Sequence, residues 1–381
     1  MFSRATWISA AALVALSACS GGANQTTPAD GSYIPQDTAA APQSVAAAAP
    51  QDGASATQVA TPSLAAAPSG AGYTVRVFAR GTSTLTNPDP IVSQDGWTYV
   101  AYQNKTTATG GGGESTIVKY GARGVIHHTR NLPGRIDGMR FNPYDHHMWV
   151  TVNEDGNSSL FTIDLISWTV HHYAFSAATH GGGYDDLVFA NGKAFIAASN
   201  PTLNSSGINN HPALISVVLK GGVAEVTPVL MGNAAARDIP TGKTVKLNLT
   251  DPDSTTVAPD GDVVLISQAD SEIVKIHNAG IAGQSVSRLI AGTQLDDTQY
   301  ATEPDGLFYV VDSKADTTYV VRGNFSQHSI YSEAPSDSTT YPGSILSIDP
   351  MTGSTHPIIK GFTSPTALLF VTDRDAAALK P

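Results

Sequence analysis

The chain has 381 residues, of which 14% are charged, and its formal net charge is −11 at pH 7. That length accommodates one large domain or two small ones. Phosphate binding needs concentrated positive charge, so an acidic chain without a Lys/Arg cluster argues against nucleic acid as a partner. The single cysteine excludes an internal disulfide framework and any cysteine-rich zinc or iron–sulfur site.

The N-terminus predicts a lipoprotein leader. Arg4 is the only charge near it, and residues 5–18 form an apolar stretch too short to span a bilayer. The stretch ends in Leu16-Ser17-Ala18-Cys19, which resembles the lipobox of bacterial lipoproteins. The resemblance implies that residues 1–18 are a signal peptide and that Cys19 becomes a lipidated N-terminus, anchoring the chain without a transmembrane helix. An ordinary cleaved signal peptide with an incidental Cys19 is the alternative.

The residue after the cysteine bears on localisation. In lipoproteins an aspartate at that position tends to retain the protein in the inner membrane, and this chain has Ser20. The resemblance therefore implies a cell-envelope protein whose acyl chains, palmitate among them, anchor it in the outer membrane of a Gram-negative cell.

Residues 19–72 are predicted to form a tether. They are rich in Ala, Pro, Gln, Thr, Ser and Gly, contain no Lys or Arg, and lack bulky apolar periodicity. Such a segment cannot repay the entropy of ordering. Its length would hold a folded domain about 40 Å from the bilayer. The folded domain is predicted over residues 73–381.

From Tyr73 onward the sequence repeats a turn followed by a β-rich segment. Asp-Gly and Asn-Gly turns between β-rich runs are the strongest short-range hairpin signal. The turns fall about 45–69 residues apart, which suits four short strands per repeat, the size of a propeller blade. The turn positions are Asp95-Gly96, His146-His147, Asn191-Gly192, Asp260-Gly261 and Asp305-Gly306.

The repeats comprise five complete units and two incomplete ends. Residues 365–371 are predicted as a sixth first strand, 372–375 as the turn after it, and 73–79 as a lone N-terminal strand. One mixed sheet built from both ends would close the ring and leave no open edge. We therefore predict an all-β, six-bladed β-propeller, with five or seven blades and a pair of β-sandwich domains as alternatives. Insertions at 105–114, 200–211 and 324–343 should lie between second and third strands, on one face.

An aspartate stands just before or within each of the first five first strands. First strands line the axis of a propeller, so these side chains should converge at one end of the channel. Converging carboxylates bind a hard cation such as Ca²⁺, or repel one another and raise pKa values. Aspartates also accept hydrogen bonds from nearby backbone, so a structural role is the alternative. The candidates are Asp89, Asp137, Asp185, Asp186, Asp253, Asp296 and Asp297, with Asp251 beside them.

Two further residues are candidates near the predicted mouth. His180, just before Gly181-Gly182-Gly183, is the best single candidate for a general base. Tyr184 could stack a sugar or an aromatic ligand there. For Tyr184 core packing is the alternative.

The repeat pattern, with turns such as Pro259-Asp260-Gly261 and Pro304-Asp305-Gly306, resembles the SMP-30/gluconolactonase family and the wider NHL and YncE-like propellers. Membership would imply lactone hydrolysis at a divalent metal held by a glutamate, an asparagine and an aspartate. The chain departs from that pattern, because no first-strand glutamate matches the metal ligand.

These observations predict a lipid-anchored envelope propeller that acts as a binding or scaffolding module. Its loop-lined face would bind an envelope protein or a small ligand, with a divalent cation, Ca²⁺ first, as the candidate cofactor. A metal-dependent lactone or ester hydrolase using the aspartates is the alternative. Lyases and quinone-dependent dehydrogenases stay open, because a fold alone does not choose among functions.

Overall fold

The computed structural model describes residues 67–377. The predicted signal peptide, Cys19 and most of the predicted tether therefore lie outside the described residues. No helix in this described part is long and apolar enough to cross a membrane.

The first half of the described chain contains thirteen strands, which alternate with short turns. They are β1 (Thr74–Arg80), β2 (Pro88–Gln94), β3 (Trp97–Tyr102), β4 (Glu114–Tyr120), β5 (Ile126–Pro133), β6 (Ile136–Phe141), β7 (His147–Val152), β8 (Ser159–Asp164), β9 (Val170–Phe175), β10 (Leu187–Ala190), β11 (Lys193–Ala197), β12 (Pro212–Lys220) and β13 (Val223–Met231).

The second half continues the pattern and ends in one short helix. Its elements are β14 (Ala235–Asp238), β15 (Thr244–Lys246), β16 (Pro252–Val257), β17 (Val263–Ser267), β18 (Glu272–His277), β19 (Ser285–Ile290), β20 (Thr298–Tyr300), β21 (Asp305–Asp312), a 3₁₀ turn (Ser313–Ala315), β22 (Thr317–Asn324), β23 (Ile330–Ala334), β24 (Ser344–Ile348), β25 (Thr355–Lys360), β26 (Pro365–Thr372) and α1 (Asp373–Ala377).

The strand pairings form six antiparallel sets of four. From the innermost strand outward these sets are β2-β3-β4-β5, β6-β7-β8-β9, β10-β11-β12-β13, β16-β17-β18-β19, β20-β23-β24-β25 and β26-β21-β22-β1. The second and third sets are joined at their outer edges by a short parallel pairing of β13 with β9. The hairpin β14-β15 extends the fourth set through β19. We interpret each set as one propeller blade.

Six hydrophobic clusters of the described chain lie between neighbouring sets and close the ring. Because successive strand residues face opposite sides, one strand supplies two clusters. Val263 and Leu265 of β17 pack toward the third set, whereas Val264 and Ile266 pack toward the fifth. The last cluster joins the sixth set to the first through Phe78, Tyr120 and Tyr309. The chain is therefore an all-β propeller with its core between the sheets.

The predicted mixed sheet from both chain ends is present. β1 from the N-terminal side pairs with β22, and β26 from the C-terminal side pairs with β21. The edge of β25 also pairs with chain N-terminal to β1, because Ser69 and Lys360 exchange two backbone hydrogen bonds of 2.9 and 3.0 Å. The last residues of the predicted tether thus contact the folded domain.

The allocation of strands between the last two sets differs from the sequence prediction. Asp305-Gly306 lies within β21 and is not a turn, and the hairpin β21-β22 belongs to the sixth set rather than to the fifth unit. A side chain at Gly306 would come within 2.5 Å of the Phe370 ring, so this glycine permits close strand packing. The predicted insertion at 324–343 contains β23, the true second strand of the fifth set, and the predicted turn at 372–375 runs into α1.

The closing cluster supplies a stability test. Phe78 is 9% exposed and packs its ring against Tyr309 at 4.9 Å and Tyr120 at 5.7 Å. Phe78→Ala should therefore lower the free energy of unfolding by about 3–5 kcal/mol, measured by urea denaturation. Val125→Ala, at a side chain that is 54% exposed, is the control and should change it by less than about 0.5 kcal/mol. A loss at Phe78 no larger than the control would contradict closure of the ring by this cluster.

Candidate functional site

Eight carboxylates line one cavity of about 170 Å³ at the end of the innermost strands. We call it the acidic cavity. Its acids are Asp89, Asp137, Glu154, Asp185, Asp186, Asp253, Asp296 and Asp297, and its other lining residues are Pro90, Arg135, Ser254, Gln268 and Thr366. The seven aspartates that the sequence predicted as candidates are thus all brought together in one place.

The topology explains this convergence. The innermost strands β2, β6, β10, β16, β20 and β26 contact one another in sequence around the ring. The aspartates occupy nearly the same position in five of the six sets, at or just before the start of the innermost strand. Thr366 of β26 takes the sixth position. Residues that are distant in sequence therefore meet at one end of the axis.

Two of the acids join neighbouring sets through backbone hydrogen bonds. Asp186, before β10, accepts from the backbone N–H and the hydroxyl of Thr255 in β16, both at 3.1 Å. Asp297, before β20, accepts from the backbone N–H of Leu368 in β26 at 3.3 Å. These carboxylates have the structural role that the sequence left open.

Asp137 is also held by one ion pair and two hydrogen-bond donors. Arg135 Nε lies 2.9 Å from Asp137 Oδ1, Gln103 Nε2 donates to the same oxygen at 3.2 Å, and the backbone N–H of Glu154 donates to Oδ2 at 3.1 Å. Burial and the nearby Glu154 carboxylate nevertheless raise the pKa of Asp137 well above its usual range, against the opposing effect of Arg135.

Asp185 and Asp253 have no comparable support. One oxygen of each, Asp185 Oδ2 and Asp253 Oδ2, is buried without a hydrogen-bond partner. Asp185 is only 4% exposed. The two carboxyl groups are close enough to share a hydrogen bond when one of them is protonated. Burying a polar atom without a partner costs free energy, so a proton or a bound cation would stabilise these oxygens.

Glu154 joins this pair to form a group with metal-ligand spacing. One carboxylate oxygen from each of Glu154, Asp185 and Asp253 lies within 4.8 Å of the others. We call these residues the carboxylate trio. Glu154 lies in the loop between β7 and β8, whereas Asp185 lies just before the innermost strand β10 and Asp253 lies in the innermost strand β16. The trio therefore depends on the ring and on one loop at its mouth.

Burial and mutual repulsion dominate the electrostatics of the cavity. Burial is the main cause that raises the pKa of Asp253 to about 8 and that of Asp297 to about 7. Burial, followed by the Asp253 charge, raises the pKa of Asp185 and of Asp296 well above the usual range. Burial and repulsion at this site thus favour protonated carboxyl groups, or a bound cation, over a full set of negative charges.

Glu333 of β23 adds a further buried acid beside the cavity. It is fully buried, and neither carboxylate oxygen has a hydrogen-bond partner. Burial and the nearby Asp297 charge raise the pKa of Glu333 well above its usual range. The sequence analysis missed Glu333, because it placed β23, the strand that carries this residue, in an insertion.

His180 and Tyr184 do not line the cavity. His180 is 2% exposed, and its Nε2 lies 2.7 Å from the carbonyl oxygen of Gly183. Tyr184 is equally buried and packs its ring against Phe175 at 4.2 Å. The geometry therefore gives His180 no access to a ligand in the cavity, and it closes the Tyr184 ring to stacking. Both side chains instead stabilise the loop before β10.

Sequence reasoning missed Glu154 and Arg135. Glu154 follows a second strand, in a loop that the topology turns toward the mouth of the channel. The signal that could have identified Glu154 was an acidic residue in a loop after a second strand. Arg135 directly precedes β6, and nothing in its sequence context distinguishes it from a surface arginine.

Comparisons with known proteins identify no family for this chain. No protein-family model matches it, and no curated protein sequence matches it. Streptogramin B lyase is similar in structure, with a TM-score of 0.41, 9% identity and coverage of 75% of this chain and 73% of that one. A protein of unknown function from Bacteroides caccae has a TM-score of 0.41, 11% identity and coverage of 74% and 97%.

A third similar structure is a quinoprotein alcohol dehydrogenase-like protein from Bacteroides thetaiotaomicron. Its TM-score is 0.37 at 15% identity, with coverage of 74% of this chain and 67% of that one. Because all three TM-scores lie below 0.5, the propeller assignment rests on the strand pairings and the site rests on its own geometry.

The raised pKa values predict how stability depends on pH in the absence of cations. An aspartate in the unfolded chain has a pKa of about 3.9. Between that pH and about 7–8, the native chain therefore holds protons on Asp297 and Asp253 that the unfolded chain has lost. Stability should then fall as pH rises, by about 1.4 kcal/mol per pH unit for each such proton.

Thermal unfolding in EDTA from pH 5 to pH 8 tests this dependence. The melting temperature should decrease across the series, and Asp253→Asn should make the decrease shallower. Asp305→Asn changes an exposed carboxylate outside the cavity and should leave the slope unchanged. A melting temperature that is constant or rises over this range would contradict the prediction.

Proposed function

We propose that the chain is a lipid-anchored propeller of the bacterial cell envelope that binds a divalent cation in its acidic cavity. Ca²⁺ is the first candidate. The cation would form part of a binding site for an envelope protein or a small ligand at the loop-lined face. Cys19 would carry the lipid, and the segment after it would hold the propeller away from the outer membrane.

The observation that carries this proposal is the carboxylate trio with its unpartnered oxygens. Ca²⁺ prefers carboxylate and other oxygen ligands, and it accepts six to eight of them. Three protein ligands would leave coordination positions for waters or for a ligand. The acidic cavity has several times the volume that one water needs, so it has room for an ion with part of its hydration shell.

The charges at the site support a cation over protons alone. A divalent ion would relieve the repulsion between Asp185, Asp253 and Glu154, and it would give the buried oxygens a partner. Asp137, Asp186 and Asp297 need it less, because each already accepts a hydrogen bond from a backbone N–H, although Asp186 Oδ1 is also buried without a partner. The proposal therefore assigns ligand roles to the trio and structural roles to those three.

The binding face would be built from loops that meet above the cavity. The loop after β3 and the loop after β7 contact each other, since the backbone N–H of Asp155 donates to the carbonyl of Ala108 at 3.0 Å. The loop after β11 contacts the segment before β10 through a 2.7 Å hydrogen bond from Thr202 N–H to the carbonyl of His180. Such loops on a rigid ring suit recognition of a partner.

The hydrolase alternative gains no specific support. The histidine considered as its general base lies outside the cavity, and no observation favours lactone or ester chemistry over binding. We therefore propose the binding function alone.

Cation binding predicts a saturable rise in thermal stability. Addition of Ca²⁺ to the EDTA-treated full chain should raise the melting temperature, because a ligand that binds only the native state stabilises it by mass action. At 100 times the dissociation constant the gain is about 2.7 kcal/mol. Asp185→Asn and Asp253→Asn should abolish the rise, whereas Asp305→Asn should retain it. Absence of any shift with Ca²⁺, Mn²⁺ or Zn²⁺ would refute the cation site.

Lipidation predicts how the chain partitions between fractions. When it is expressed in a Gram-negative host, the wild-type chain should incorporate labelled palmitate and fractionate with the outer membrane. Cys19→Ser should abolish both properties, and Ser20→Asp should shift the chain toward the inner membrane while retaining the label. Membrane attachment of Cys19→Ser equal to that of the wild type would contradict a lipid anchor at this residue.

A further inference from the structure

Arg135 places a positive charge inside the acidic cavity, next to the carboxylate trio. Its Nε lies 2.9 Å from Asp137 Oδ1, and its Nη2 lies 3.4 Å from Glu154 Oε1. The side chain is 30% exposed, so it is only partly enclosed. Glu154 thus lies between the guanidinium of Arg135 on one side and the carboxylates of Asp185 and Asp253 on the other.

Arg140 is a second arginine at the site, and it pairs with a different carboxylate. Its Nη2 lies 2.9 Å from Asp186 Oδ2 and donates to the carbonyl of Thr255 at 3.1 Å. Each arginine therefore pairs with one aspartate of the acidic cavity. Only Arg135, of these two, also contacts a member of the carboxylate trio.

We propose that Arg135 is a built-in competitor of the cation for Glu154 and thereby sets the affinity of the trio. This inference rests on the proposed cation site. In the cation-free chain the guanidinium supplies positive charge to Glu154. A divalent ion bound by the trio must share Glu154 with it, and the two like charges repel at close range.

Competition has a distinctive consequence for affinity. Removal of a residue that merely supports the site would weaken cation binding or leave it unchanged. Removal of a competitor would tighten binding, because it releases Glu154 and takes away a like charge. When charges of +1 and +2 lie about 6 Å apart in a water-like dielectric, removing their repulsion lowers the dissociation constant about tenfold.

Calorimetric titration of the EDTA-treated full chain with CaCl₂ tests this proposal. Arg135→Gln should tighten the dissociation constant about tenfold, whereas the matched control Arg140→Gln removes an arginine paired with Asp186 and should change the constant by a smaller factor. Arg135→Lys keeps the charge on a single ammonium that cannot bridge both carboxylates, so we expect about threefold tightening. This variant provides the readout if Arg135→Gln does not fold, which circular dichroism would show.

The outcomes separate this inference from the proposed function. If the wild-type chain binds Ca²⁺ and the folded Arg135 variants bind it no more tightly than Arg140→Gln, the competitor role is wrong and the cation site stands. If Arg135→Gln binds Ca²⁺ and the wild type does not, the competitor role is supported and cation binding by the wild type is refuted. If none of the chains binds Ca²⁺, both proposals fail.

Discussion

Closure of the ring is the constraint on which the rest of this structure depends. The antiparallel pairing of β1 with β22 and of β26 with β21 joins the two ends of the domain in one sheet. Each sheet then packs against two neighbours, and the six innermost strands converge on one axis. Any residue type that recurs at the start of these strands must therefore meet its counterparts, whatever the electrostatic cost.

That cost is considerable, because the recurring residue is aspartate. Eight carboxylates line a cavity of about 170 Å³. Like charges around so small a cavity repel one another strongly where water is scarce. The structure lowers the cost in different ways at different acids. Asp186 and Asp297 hold neighbouring sheets together through backbone N–H groups, and Asp137 pairs with Arg135.

Asp185 and Asp253 are left with buried oxygens that have no partner. Unlike Asp186 and Glu333, which also have unpartnered oxygens, these two lie with Glu154 at metal-ligand spacing, so one bound cation would give their oxygens a partner. The same ring of aspartates therefore contains two kinds of site. One kind is internal support for the propeller, and the other is the proposed cation site.

Local sequence patterns were enough to predict the propeller and the convergence of its aspartates. Turns and β-rich segments specify short antiparallel strands through local conformational preference, and their spacing specifies a repeat of blade size. The shared position of the aspartates before first strands was enough to predict that they converge. Local patterns carry this information because every blade repeats nearly the same environment.

Long-range packing determines which strand joins which sheet, and it determines which acids are hydrogen-bonded to a neighbouring sheet. The hairpin β21-β22 looks like part of the fifth unit but pairs with β26 and β1, because hydrogen-bond partners across a closing ring leave no local trace. Glu154 and Arg135 reach the cavity through loop placement and side-chain direction. Whether a carboxylate is satisfied by a backbone N–H or remains free depends on the neighbouring sheet, which is far away in sequence.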